Sequence, residues 1–328
     1  LGHQPMYSPD KRIALVYNGE IYNFQDLKAE LTEYPFCSNC DTEVIIAAYL
    51  KWGMKCVDKF NGMFAFALYD REDDALYLVR DRIGKKPLYY YLKEGNLYFA
   101  SELKPLMVNP YFEKKINDKL EPGSILRFSK GIFEKWKYWD VADIYKRVHT
   151  GLTYEEALNE FELLMKDAVK KRMVADVSVG EFLSGGYDSA LVCALAQTLS
   201  DRPIRTYSIG FDDEKLNEAP FAKTISSYLG TSHTEHYISE KEMFELVDSI
   251  PQYYDEPFAD SSQICTMLVS ELAKRDVTVA LTGDAGDEFF GGYTIYDKVF
   301  NAQKMKGRGI FYHYLYKLPG INKIKNFR

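Results

Sequence analysis

Leu183-Ser184-Gly185-Gly186-Tyr187-Asp188-Ser189 sits between two apolar segments of different period. Before it come Val177, Val179, Phe182 and Leu183, a strand-like run. After it, residues 190–196 read Ala-Leu-Val-Cys-Ala-Leu-Ala, which suits a buried helix. Strand, glycine turn and helix is a geometry that cradles phosphate. Gly185 and Gly186 let the backbone approach an anion closely. The Ser184 and Ser189 hydroxyls and the N–H groups at the helix start then bind it, helped by the helix dipole. Asp188 adds a carboxylate beside the phosphates, where a metal ion makes it welcome. No Gly-Lys-Ser/Thr follows, so the loop is not of the Walker type. The competing reading is an ordinary strand–turn–helix.

Working outward, the pattern around this loop alternates. Helices are expected over 154–172, 219–229, 240–249 and 263–275, and strands over 177–183, 205–211, 233–238 and 277–281. Alternation of this kind implies a parallel sheet with helices on both faces. On helix 154–172, Leu158, Phe161, Leu164 and Met165 are the expected buried positions. Residues 11–140 read differently, as strand-rich. Strand 12–17 leads into a turn at Asn18-Gly19-Glu20, then helices 24–32 and 41–60. Strands 63–69 and 75–79 follow, then a hairpin of 87–91 with 97–100 around Glu94-Gly95-Asn96. Helix 101–108 is expected to be capped by Ser101, and strands 124–128 and 132–139 close this half. The stretch 141–152 is polar and aperiodic. The expected organisation is therefore a first domain over 1–140, a linker over 141–152 and a second domain over 153–328.

The chain has 328 residues and a net charge of −7, with 26 Tyr and 20 Phe. Its length suits two domains, and its aromatic content argues against disorder over most of it. The negative charge argues against a nucleic-acid surface, and no apolar run reaches the roughly 20 residues that span a bilayer. Five scattered cysteines, an odd number, favour a reducing compartment. Cys37 and Cys40 form a C-x-x-C without the second pair a zinc site needs. His233 and His236 lie on an expected strand, where alternation puts them on opposite faces. The segment from Lys304 to Arg328 carries seven Lys/Arg and no acid, and reads as a solvated end.

A second informative stretch, Thr282-Gly283-Asp284-Ala285-Gly286-Asp287-Glu288-Phe289-Phe290-Gly291-Gly292-Tyr293, follows the strand at 277–281. In a parallel sheet ligands bind at the carboxyl ends of strands, and both glycine loops lie there. Asp188 and Asp287 thus face one cleft, placed to share Mg²⁺ with a leaving pyrophosphate. Thr282 and Gly283 line the nucleotide. The competing reading is an acidic surface loop.

The first loop resembles the SGGxDS pyrophosphate loop of the ATP pyrophosphatase class. The chain as a whole is similar to the glutamine-dependent asparagine synthetases of class B type. The resemblance runs from His3-Gln4-Pro5-Met6 to about Tyr296 and rests on separated motifs. These are Asn18-Gly19-Glu20-Ile21-Tyr22-Asn23, Asp41-Thr42-Glu43-Val44, Gly62-Met63-Phe64-Ala65-Phe66, Arg80-Asp81-Arg82-Ile83-Gly84 with Pro87-Leu88-Tyr89-Tyr90, and Ala100-Ser101-Glu102-Leu103-Lys104. The first loop, residues 255–262 (Asp-Glu-Pro-Phe-Ala-Asp-Ser-Ser) and the second loop complete the set.

The resemblance implies a fold and roles. The fold is an α+β Ntn-type glutaminase domain, an αββα sandwich lacking its first strands. An α/β parallel-sheet ATP pyrophosphatase domain follows it. Asn18 and Gly19 correspond to an oxyanion hole, since a side-chain amide and a backbone N–H stabilise a developing oxyanion. Glu20 and Asp41 correspond to ligands of the glutamine amino and carboxylate region. Leu183 and Ile209 correspond to backbone contacts with adenine, and Asp284 to a carboxylate that takes a proton from attacking ammonia. The implied cofactors are ATP and Mg²⁺, and the substrates aspartate with glutamine or ammonia. The implied product route is a β-aspartyl adenylate in a cytoplasmic enzyme, and dimers are common in the family.

The chain departs from the family at both ends and within the loops. Members begin Met-Cys, and that exposed cysteine is the nucleophile of the glutaminase. The cysteine, the arginine that holds the glutamine carboxylate and a later lysine that contacts pyrophosphate have no counterpart here. A chain so written is expected not to hydrolyse glutamine and to be an internal piece of a longer protein. Tyr187 replaces a small aliphatic residue, and Ala285 replaces a glycine or similar residue. Two other functions compete: a related amide-forming ligase of the β-lactam synthetase or peptide-cyclase kind, and an inactive scaffold.

Overall fold

A computed structural model describes residues 2–110, 112, 119–146, 151–213, 217–256, 260 and 262–305. The basic stretch beyond residue 305 lies outside them, as do Pro257, Phe258, Ala259 and Ser261 of the 255–262 motif. In chain order the elements are β1 (Met6–Tyr7), β2 (Ile13–Ile21), α1 (Phe24–Glu30), α2 (Asp41–Trp52), β3 (Gly62–Asp70), β4 (Ala75–Arg80), β5 (Tyr89–Lys93), β6 (Asn96–Ala100), α3 (Leu103–Met107), β7 (Ser124–Ser129), β8 (Ile132–Lys137), α4 (Val141–Tyr145) and α5 (Tyr154–Arg172). There follow β9 (Val179–Phe182), α6 (Tyr187–Thr198), β10 (Arg205–Phe211), α7 (Ala219–Leu229), β11 (Ser232–Ile238), α8 (Glu240–Val247), α9 (Ile250–Tyr253), α10 (Ser262–Ala273), β12 (Val279–Leu281), α11 (Gly286–Phe290) and α12 (Thr294–Met305). The chain forms two compact units: residues 1–172 with 248–259, and residues 173–247 with 260–328.

The first unit is built on a six-stranded antiparallel sheet in the order β1-β2-β3-β4-β7-β8. One face of the sheet presents Ile13, Leu15 and Ile21, which are sealed against Val44, Ile45 and Ala48 of α2 and Leu27 of α1. Each such aliphatic side chain contributes about 1.5–3 kcal/mol on full burial. On the other face, Ala65, Ala67, Leu78 and Leu126 pack with Leu88, Tyr90, Leu97 and Phe99 of the β5–β6 region. A sandwich of two sheets was expected. Among the described residues the second sheet is the two-stranded hairpin β5–β6. Its turn places Glu94 and Gly95 at positive φ, the mirror-type turn that a two-residue hairpin prefers.

Several boundaries differ from the sequence pattern for local reasons. Asn18-Gly19-Glu20 is not a turn. Strand β2 runs through it, pairing Asn18 with Ala65, Gly19 with Phe64 and Glu20 with Met63. A Cβ at Gly19 would lie 2.2 Å from the Met63 carbonyl oxygen, so glycine is required there by close approach of the strands. The expected helix 41–60 stops at Trp52. Gly53 has φ +60° and ψ −153°, and the chain continues to Lys59 as a 3₁₀ turn. Helix α3 begins at Leu103 and is not capped by Ser101. The Asp255 carboxylate accepts from the Leu103 and Lys104 N–H groups and lies 2.8 Å from the Lys104 ammonium. On α5, Leu158 and Leu164 are exposed and Val169 is the buried residue. The stretch 141–152 contains α4, capped by Asp140.

The second unit holds a four-stranded all-parallel sheet, β11-β10-β9-β12. Phe182, Tyr207 and Ile209 face α10, where they meet Val269, Leu272 and Ala273. The opposite face carries Leu183 against Cys193 of α6 and Ala222, Ile225 and Leu229 of α7. Helices therefore cover both faces, as the alternating pattern predicts.

Candidate active site

The loop after β9 is short because α6 starts directly after it. Gly185 has φ +94°, and a Cβ there would lie 3.0 Å from Phe221 Cβ and 3.1 Å from the Ala222 nitrogen, so the turn lies flat on the start of α7. Its hydroxyls hold it in shape. Ser184 and Ser189 Oγ are 3.0 Å apart, the Ser184 N–H donates to Ser189 Oγ, and Ser189 Oγ donates to the Gly186 carbonyl at 3.2 Å. Gly186 caps α6 with extended backbone and no side-chain hydrogen bond. The first-turn N–H groups of α6 are thus left to whatever lies at the helix start, where the dipole favours an anion.

The second loop reaches the first. A Cβ on Gly283 would lie 2.6 Å from the Ser189 nitrogen, and one on Gly286 would lie 2.3 Å from Asp188 Cγ. Backbone closes Gly283 to any side chain, whereas at Gly286 the Asp188 carboxylate would have to move, and these contacts join the two glycine loops at the carboxyl ends of the neighbouring strands β9 and β12. Thr282 Oγ1 donates to Asp284 Oδ2 at 3.0 Å, which holds the exposed Asp284 carboxylate over its own turn. Ala285 has φ +75°, a left-handed conformation that glycine adopts without strain. The departure from glycine noted at this position therefore falls where glycine is physically preferred.

Asp188 is half-buried and lies against Gly286, whereas a Cβ on Gly292 would run into the Asp287 carboxylate. No hydrogen bond engages either carboxylate among the described residues, so both keep oxygen lone pairs for a hard cation. The described residues contain no cluster of three or more His, Cys, Asp or Glu able to hold a metal alone. Mg²⁺ takes one or two carboxylates from protein and the remainder from phosphate and water, so each of these side chains is a donor of the right chemistry, Asp188 against Gly286 and Asp287 against Gly292. Leu183 uses its N–H on the Tyr207 carbonyl at 2.9 Å and buries its side chain. A nucleotide base at Leu183 would therefore use the carbonyl. Ile209 lies on the adjacent strand β10, its side chain turned to α10. Tyr187 is 96% exposed, so its bulk does not occupy the loop.

In the first unit the expected residues fall into two separate contacts on strand β2, Asn18 with Ser101 and Asp41 with Tyr17, and Tyr17 and Ser101 were not expected in these roles. Asn18 Nδ2 donates to Ser101 Oγ at 3.3 Å. Asp41, at the start of α2, accepts from Tyr17 Oη at 2.6 Å and from the Ile21 N–H at 2.9 Å. Burial and the neighbouring Asp41 carboxylate push the Tyr17 hydroxyl pKa far up, so it stays a donor. Gly19 and Glu20 lie on the same strand between these anchors. The signal for Tyr17 was its place next to the Asn18 motif; for Ser101 it was its motif, read as a helix cap.

A residue that sequence reading passed over is Glu181, within the apolar run of β9. It is 1% exposed and neither carboxylate oxygen has a hydrogen-bond partner. His233, by contrast, is satisfied: its Nδ1 is 2.9 Å from Thr206 Oγ1 and its Nε2 3.1 Å from Ser208 Oγ.

Comparison with known proteins finds two family domains in the chain. Residues 1–121 match the glutamine amidotransferase domain and residues 160–318 match asparagine synthase. A putative glutamine-hydrolysing asparagine synthetase of Methanocaldococcus jannaschii is 38% identical across 89% of this chain and 64% of its own length. Asparagine synthetase 1 of Bacillus subtilis is 34% identical, with 90% of this chain and 50% of its own length covered. Asparagine synthetase B of Escherichia coli is 32% identical, with 93% and 56% covered. The chain thus spans from half to just under two thirds of the length of these relatives.

Proposed function

The chain belongs to the glutamine-hydrolysing asparagine synthetases, and from that premise we propose that it converts aspartate to asparagine. ATP would be cleaved to AMP and pyrophosphate, with nitrogen from glutamine or ammonia. The observation that carries this reading is the closure of the two glycine loops on each other, Gly283 on Ser189 and Gly286 on Asp188. The loop N–H groups and the Ser184 and Ser189 hydroxyls would hold the phosphates. Thr282, Gly283, Leu183 and Ile209 would line the nucleoside. Asp188 and Asp287 would hold Mg²⁺, which when bound neutralises charge on the leaving pyrophosphate. The aspartate side-chain carboxylate would attack the α-phosphorus, and Asp284 would take the proton from ammonia as it attacks the adenylate. In the first unit, Asn18 and Gly19 would stabilise the oxyanion of glutamine hydrolysis, and Glu20 and Asp41 would bind the glutamine backbone groups. All five cysteines are free, and no described helix is long and apolar enough to cross a membrane. A cytoplasmic site of action suits the free thiols.

A substrate screen tests this reading. The protein is incubated with ATP, Mg²⁺ and ammonia, and pyrophosphate release is measured with aspartate and with other carboxylates. Release that depends on aspartate and yields asparagine is expected. Release with a peptide or a carboxyethyl amino acid, but not with aspartate, would move the protein to another amide-forming ligase.

A further inference from the structure

Four carboxylates are buried among the described residues: Glu43, Asp70, Asp81 and Glu181. Three of them are saturated. Glu43 accepts from the Cys37 and Ser38 N–H groups and the Ser38 hydroxyl. Asp70 takes a two-bond contact from Arg12 and a third bond from Tyr49. Asp81 accepts from the N–H groups of Phe64, Ile83, Lys85 and Lys86. Glu181 takes no bond from any N–H or O–H group, and the one donor beside it is the weak Cys193 S–H.

Its surroundings explain why. In register it lies between Thr206 of β10 and Leu281 of β12. The Thr206 hydroxyl is already engaged with Thr231 and His233. Of the titratable groups on the packed elements, the Cys193 thiol of α6 is its polar neighbour. His233 stands one strand further along the same row, its ring committed to Thr206 and Ser208. α6 carries no Lys or Arg. The single Lys of α7, Lys223, pairs with Glu235, and Arg205 of β10 donates to the Asp276 carbonyl. Burial without a cation pushes the Glu181 carboxyl up to about 8, and the same burial pushes the Cys193 thiol up to about 12.

Placement gives this acid a lever. Glu181 is on β9, two residues before Leu183, and Cys193 is on α6. Those two elements flank the Leu183–Ser189 loop and have no other connection in sequence. We propose that Glu181 is an uncharged acid that lets β9 and α6 close on each other, and that losing its proton opens the loop they carry, making it an alkaline gate on the site. A bare carboxylate in this buried layer must draw in water or part the helix from the strand, because the weak Cys193 S–H is the one donor beside it and Thr206 and His233 are committed elsewhere. The gate rests on reading residues 183–189 as the nucleotide loop.

The test compares the protein with E181Q, which keeps the shape but cannot ionise, and with E181V, which removes the polar group. Three measurements are made from pH 6 to pH 10: the infrared carboxylic-acid carbonyl band, hydrogen exchange of α6 amides corrected for intrinsic rate, and ATP affinity. The unsubstituted protein is expected to show an acid band at neutral pH that both variants lack. Its α6 opening should rise about tenfold per pH unit above the carboxyl's titration, while both variants stay flat. ATP affinity should fall in parallel in the unsubstituted protein alone. An α6 opening profile that keeps its slope in E181Q and E181V, or an acid band that survives in both, overturns the gate. Failure of all three proteins to bind ATP at any pH would instead sink the nucleotide reading, and the infrared and exchange data would still decide the gate.

Discussion

Gly283→Ala probes the contact on which the site depends. A Cβ there would stand 2.6 Å from the Ser189 nitrogen, 2.9 Å from the Asp188 carbonyl carbon and 3.0 Å from Ser189 Cα. Ordinary contact begins near 3.4 Å, so 3.4 minus 2.6 leaves 0.8 Å that one loop must yield. The opposing atoms are backbone at the start of α6 and cannot swing aside like a side-chain tip. Overpacking of this kind costs about 1–3 kcal/mol. For a protein with units of this size that is roughly 2–4 °C of melting temperature per kcal/mol. The effect on chemistry should be larger, because a misplacement near 1 Å at a reacting centre costs on the order of a hundredfold. The assay is pyrophosphate release alongside a thermal melt, with Gly230→Ala as control. Gly230 ends α7 at φ +72° with nothing within 4 Å of an added Cβ, so alanine there meets backbone strain and no loop. It should cost about 1 kcal/mol of stability and leave turnover unchanged. Full activity in Gly283→Ala would refute the reasoning, since the two loops would then not need to touch.

Ala285→Gly should stabilise the second unit by up to about 1 kcal/mol, read by chemical denaturation, because it releases a left-handed alanine. Asp188→Asn should cut turnover at least tenfold with the melting temperature unchanged, since no described hydrogen bond depends on that carboxylate. A tenfold drop corresponds to about 1.4 kcal/mol of transition-state stabilisation. Gly19→Ala should destabilise the first unit by about 1–3 kcal/mol in a urea melt, because the new Cβ meets the Met63 carbonyl at 2.2 Å. Burial alone would raise the Asp70 carboxyl, but the Arg12 guanidinium, the Glu72 N–H and the Tyr49 hydroxyl outweigh it and hold it below the usual range. The stability it supplies is therefore present at neutral pH and lost as pH falls through the acid range; Asp70→Asn should flatten that part of the acid-denaturation curve.

The parallel sheet and its two glycine loops were legible because strand and helix periods differ and glycines punctuate the change between them. The elements that misled did so for definable reasons. Asn18-Gly19 has the composition of a turn, yet its glycine serves the close pass of β3, which only the fold reveals. Gly53 ended a helix whose apolar spacing ran on through Val57 and Phe60, and both of those residues are buried in the 3₁₀ turn and after it. Leu158 and Leu164 on α5 carry helical spacing that the described residues do not cover. Asp255 caps a helix about 150 residues earlier in the chain, a tertiary contact that no local pattern encodes. Glu181 was readable as an acid inside an apolar strand, and its lack of partners required coordinates.

The most direct measurement of the central claim follows oxygen from the substrate. Aspartate labelled with heavy oxygen in its side-chain carboxylate is turned over with ATP and ammonia, and the phosphate products are analysed by mass spectrometry. One labelled oxygen is expected in AMP and none in pyrophosphate, the signature of a β-aspartyl adenylate. Label in inorganic phosphate, accompanied by ADP, would contradict it.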